Sequence, residues 1–220
     1  MNLALHALLK SAVVGGCCVF GAAQANLLTN GRFEQGAFVD QGNDTETFTA
    51  GATTMTGWTT AGNYVSWIGP SNPFGLTAED GSYFLDLTGY QAGGPFGGVT
   101  QTVATNPGQQ YDLSFYLGSR TDLYGGPPVS IQASAAGVSQ TFTDSASHDV
   151  STWTLESFTF TATGTSTAIT LLGTAGDAYI GLDNVDLEAG AVAAVPEPGT
   201  YALMLAGLGI VGFMARRSRT

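Results

Sequence analysis

Tyr111-Asp112-Leu113-Ser114-Phe115-Tyr116-Leu117 is the stretch on which the fold turns. Tyr111, Leu113, Phe115 and Leu117 recur at every second position, with Asp112, Ser114 and Tyr116 between them. A period of two places the first set on one face of a β-strand and the second on the other. Working outward, Tyr64–Ile68 and Tyr83–Leu87 are short aromatic and β-branched runs bounded by glycine, proline and asparagine. Val99 and Val103 flank another such run. Val129, Ile131 and Ala133 repeat the alternation after the Gly125-Gly126-Pro127-Pro128 break. No interior segment keeps helical periodicity for three turns. The expectation is an all-β chain, an antiparallel β-sandwich with about eight to ten strands.

Two segments slip phase. In Thr152–Ala162 the apolar positions are Trp153 and Leu155, then Phe158 and Phe160; in Ala178–Leu187 they are Ile180 and Leu182, then Val185 and Leu187. A one-residue bulge in each would keep the apolar set facing inward. The second falls at Asp183-Asn184, placing two polar groups at the irregularity.

The two ends have other compositions. Residues 1–25 read as a signal peptide and N-terminal helix: Lys10, an apolar run over 11–22, then Ala23-Gln24-Ala25, which leaves Asn26 as the first mature residue. Residues 26–190 form the sandwich domain and 191–200 a linker holding Pro196-Glu197-Pro198. Residues 201–215 form a short apolar helix, and 216–220 a basic tail with Arg216, Arg217 and Arg219. The apolar run is about 22 Å long as a helix, against a hydrocarbon core of about 30 Å, so it reads as a sorting or transmembrane helix of marginal length.

Between the ends only Arg32 and Arg120 stand against sixteen acids, a net charge near −14. Nucleic-acid binding needs a basic footprint and is excluded on that ground. Both cysteines, Cys17 and Cys18, precede Asn26, so disulfides and thiolate chemistry are absent from the mature chain.

The order Pro196-Glu197-Pro198, glycine-rich apolar helix and terminal arginines resembles the PEP-CTERM sorting signal of Gram-negative bacteria. The resemblance implies processing by an exosortase-type protease, transient residence in the inner membrane, and a final place at the cell surface or in the extracellular matrix. A second resemblance runs through the centre. Asn30-Gly31-Arg32-Phe33-Glu34, Trp58, the segments at 80–87, 98–103 and 108–115, and the closing Ile180-Gly181-Leu182-Asp183-Asn184-Val185-Asp186-Leu187 are similar to galactose-binding-like jelly rolls, a fold shared by many carbohydrate-binding modules. It implies a structural calcium ion held in part by Glu34 and Asp183, with Asn184 standing where the family carries a second Asp.

Glycan binding calls for exposed aromatic faces, and Trp58, Trp67, Tyr90 and Tyr124 are the candidates, with Trp153 and Tyr111 placed in the core. No nucleophile elbow, phosphate loop or paired-histidine motif occurs, and His148 lies in a polar Ser/His/Asp stretch too local for a triad. The expectation is an exported non-enzymatic protein that binds glycan or extracellular polysaccharide. The alternatives are a calcium-stabilised matrix or adhesion protein and, behind it, a secreted glycosidase using carboxylates such as Glu79, Asp80 and Asp86.

Overall fold

The computed structural model describes residues 25–90, 93–120, 128–144, 152–177, 179–190 and 198–217. Among the described residues eleven strands form two antiparallel sheets. β1 (Thr45–Phe48), β3 (Val65–Ile68), β4 (Phe84–Asp86), β11 (Gly181–Ala189), β6 (Gln110–Ser119) and β9 (Thr152–Thr161) make one sheet in that order. β2 (Thr59–Gly62), β5 (Gly97–Ala104), β10 (Ser166–Ala175), β7 (Val129–Ala135) and β8 (Val138–Asp144) make the other. The alternation in β6 does what its sequence requires: Tyr111, Leu113, Phe115 and Leu117 are all buried. They meet Val99, Ile131, Ile169 and Leu171 of the facing sheet in one large cluster.

The β11 slip is a bulge, as its pattern implies. Pairing with β6 shifts between Asp183 and Asp186, and Asn184 adopts a φ of 44°. The β9 slip is not. β9 pairs with β6 without interruption from Gln110↔Thr161 to Ser119↔Thr152. Phe158 and Phe160 face the core, whereas Trp153 and Leu155 lie on the outer face, with Leu155 57 % exposed. Trp153 therefore belongs to no central core. It packs against a second cluster of Ile68, Leu76, Phe84 and Tyr179 on the outside of the six-stranded sheet, and its indole Nε1 donates to Thr77 O at 3.0 Å. Room for these rings comes from two glycines paired across strands, Gly118 and Gly181. A Cβ on Gly118 would come within 2.6 Å of both the Trp153 ring and the Tyr179 hydroxyl.

Both ends of the domain leave together. Leu27 N donates to Leu187 O at 2.9 Å, and the Asn26 carboxamide bridges Val185 O, Leu28 N and Leu187 N. Gly190, where β11 ends, is held by Gln110 O and by the Gln109 side chain. Every strand and both clusters lie between Asn26 and Gly190.

The signal segment 1–24, with Ala23, lies outside the described residues, as do Pro196, Glu197 and Arg219. α1 runs Pro198–Arg217, starting inside the Pro-Glu-Pro motif. Proline fits the first helical turn because its missing N–H is unpaired there in any case. Among the described residues no helix is long and apolar enough to cross a membrane, which corrects the transmembrane reading of 201–215. The polar first turn, the interspersed glycines and Arg216-Arg217 leave too little apolar length.

Candidate functional site

The opening motif is architectural. Asn30 closes its own turn, with Oδ1 accepting from Gln35 N and Nδ2 donating to Gln35 O and Thr56 O. Phe33 is fully buried at a φ of 57°. The carbonyls of Asn30 and Phe33 accept the indole N–H groups of Trp58 and Trp67, both at 2.9 Å. Each tryptophan is 1 % exposed. This corrects their candidacy as a glycan platform, since a ring sealed in the core with its N–H engaged offers no face to a sugar. Tyr90 is 42 % exposed and stands edge-on to Phe74, centroids 5.4 Å apart. Tyr124 and His148 lie outside the described residues.

Glu34 and Asp183 do converge, on a loop. Glu34 Oε1 accepts from Ser82 N and Tyr83 N, both at 2.8 Å. Asp183 Oδ2 accepts from Glu79 N at 2.8 Å and Asp80 N at 3.1 Å, while Oδ1 accepts from Asn184 N at 2.7 Å. Asn184 Nδ2 donates to Glu79 Oε2 at 2.8 Å, and Arg32 pairs with Asp80 at 3.1 Å. Gly81 is required here: its φ is 79°, and a Cβ would lie 2.5 Å from Glu34 Oε1. The bulge thus aims Asp183 at the amides of 79–80 while Glu34 takes those of 82–83. Burial pushes the Asp183 carboxyl up to about 7, against the pull of its three amide donors.

Calcium needs six to eight oxygens whose lone pairs face one point. Both Asp183 oxygens and Glu34 Oε1 face N–H donors instead, and among the described residues no group of three or more acidic or histidine side chains gathers to hold a metal. The carboxylates, as arranged, fit a loop anchor rather than a calcium ion. Asp86 is likewise internal, at 4 % exposure. It accepts from Thr88 N, Thr88 Oγ1 and Ile180 N, and burial raises it to about 6.

What the sequence reading missed lies on the other sheet. The outer face of β2, β5, β10, β7 and β8 carries a row of hydroxyls in register across all five strands: Thr59, Thr100, Thr170, Ser134 and Ser139. At a strand spacing of about 4.8 Å the row is about 19 Å wide. Thr100 and Thr170 share a hydrogen bond of 3.0 Å. An open groove of about 530 Å³ lies on the β10, β7 and β8 part of this face, lined among others by Gln132, Ser134, Ser139, Ser166, Ala168 and Thr170. No charged or aromatic side chain lines it. These five strands carry a single acid, Asp144 at the end of β8, whereas β1, β4, β6, β9 and β11 together carry seven. Serine and threonine read as ordinary strand surface in one dimension, and only pairing registers reveal a row.

Known proteins share parts of this pattern. The PEP-CTERM protein-sorting motif matches residues 194–219, so the chain carries an export and surface address. A segment of Halomucin from Haloquadratum walsbyi is 27 % identical over 170 residues, covering 76 % of this chain; the chain spans about 2 % of the length of that relative. Among solved structures, TmCBM61 in complex with β-1,4-galactotriose aligns with a TM-score of 0.48 at 19 % identity, over 76 % of this chain and 99 % of that one. A family 16 carbohydrate binding module aligns with a TM-score of 0.42 at 21 % identity, over 74 % and 99 %. The family model described as protein of unknown function, DUF642, matches residues 26–185, and the chain belongs to that family.

Proposed function

We propose that this is an exported, non-catalytic module that holds neutral polysaccharide along the outer face of its five-stranded sheet. The observation that carries the reading is the charge-free groove of hydroxyl and amide groups on an otherwise strongly acidic domain. Hydroxyls and the Gln132 carboxamide both donate and accept, as sugar hydroxyls do, so they exchange hydrogen bonds with a polyol without burying an unpaired charge. Anionic polymers meet the field of the remaining acids and gain no cation in the groove. The sorting motif supports an extracellular or surface setting for this activity, and this reading includes exosortase processing after passage through the inner membrane.

Affinity electrophoresis of the secreted chain through gels cast with neutral or with uronic-acid polysaccharides tests it. Retardation by a neutral polymer, reduced several-fold by Gln132→Ala with Ser134→Ala, is expected, since each hydrogen bond contributes about 0.5–1.5 kcal/mol. Unretarded migration in every neutral gel removes the glycan reading.

A further inference from the structure

We propose that β8 is a self-association edge: two copies pair through it, antiparallel, and join their five-stranded sheets into one of ten strands. This stands whether or not the groove takes a glycan.

Among the described residues β8 ends its sheet, and β9 ends the other. The opposite edges, β1 and β2, are only four residues long. β8 has the features that protected edges avoid: seven residues, no proline, no lysine, no bulge against β7, and five of the seven exposed. The turn before it fixes which backbone groups are open. Ala136 and Gly137 have φ of 51° and 82°, a primed two-residue turn that makes Ala135↔Val138 a hydrogen-bonded pair. Alternation then leaves the N–H and C=O of Ser139, Thr141 and Thr143 pointing away from β7.

Charge decides the occupant and the register. Two copies of a domain near −14 repel unless the touching edge is neutral. With Thr141 opposite Thr141 of a second copy, Ser139 faces Thr143 and all three outward residues pair. The two Asp144 carboxylates then sit at opposite ends, about 20 Å apart and beyond the screening length of about 8–10 Å. β9 fails this requirement. A two-fold pairing of β9 centred on Glu156 sets the two Glu156 carboxylates directly opposite on one face, where like charges destabilise; desolvation, with nearby Asp144 second, already raises Glu156 above its ordinary value. The hydroxyl row Thr59–Ser139 would run on into its copy, doubling the neutral face.

The test uses the full chain, exported so that the mature protein has no cysteine of its own. Thr141→Cys is expected to form a disulfide-linked dimer on mild oxidation, because hydrogen-bonded antiparallel partners have Cα atoms about 5.5 Å apart, within disulfide reach. Thr102→Cys, exposed on the same face but on β5, is expected to stay monomeric. Wild-type protein should show a reversible monomer–dimer equilibrium by sedimentation, and Thr141→Lys, with an unchanged melting temperature, should shift it to monomer. The proposal is overturned if Thr141→Cys cross-links no faster than Thr102→Cys. It is equally overturned if the wild type remains monomeric at about 0.1 mM, a concentration at which even weak specific pairs associate.

Discussion

Gly118 and Gly181 show how a missing side chain shapes an outer surface. The space they leave is filled by the Tyr179 and Trp153 rings, which turns part of a sheet exterior into a small second core. Gly118→Ala forces those rings to move, and a loss of about 1–3 kcal/mol by urea denaturation is expected, the usual cost of overpacking. Asp86 and Asp183 carry the pH response. Each binds its proton more tightly folded than unfolded, so their contribution to stability is complete below about pH 4. It is lost as pH rises through about 6 for Asp86 and about 7 for Asp183. For Asp86 that is on the order of 3 kcal/mol. Melting temperature should therefore fall between pH 4 and pH 8, and Asp86→Asn should flatten the lower part of that slope. A melting temperature that rises across this range contradicts the assignment.

Among the elements, the loop 79–83 is anchored by residues far from it in sequence. Its amides are taken by carboxylates from the start and the end of the domain, Glu34 and Asp183. Because Glu34 Oε1 and both Asp183 oxygens are spent on N–H donors, neither calcium nor a chelator should move the melting temperature, whereas a bound ion would raise it by mass action. Glu34→Gln should instead speed amide exchange at Ser82 and Tyr83 with little effect on β6. The strands themselves were legible wherever one face is core and the other water, as in β6 and β11. β9 misled because Trp153 and Leu155 are apolar yet point outward, and a periodicity argument assigns every apolar residue to one core. β8 escaped because its turn is Ala136-Gly137 rather than Asn-Gly, and because six of its seven side chains face no core. The site fared similarly: Glu34 and Asp183 were findable from motif, but what they hold depends on a loop distant in sequence from both.

At the scale of the whole molecule, charge is segregated. Seven acids lie on the six-stranded sheet, and one lies at the margin of the other. The neutral face is where polymer or a second copy can approach without electrostatic cost. The entry and exit of the domain give this arrangement a further use. Leu27 lies on Leu187, three strand residues from Gly190, so the chain enters and leaves within about 10 Å. A module with adjacent termini can be spliced into a turn of a much larger polypeptide without stretching its host. The domain then buds from the chain like a leaf from a stem.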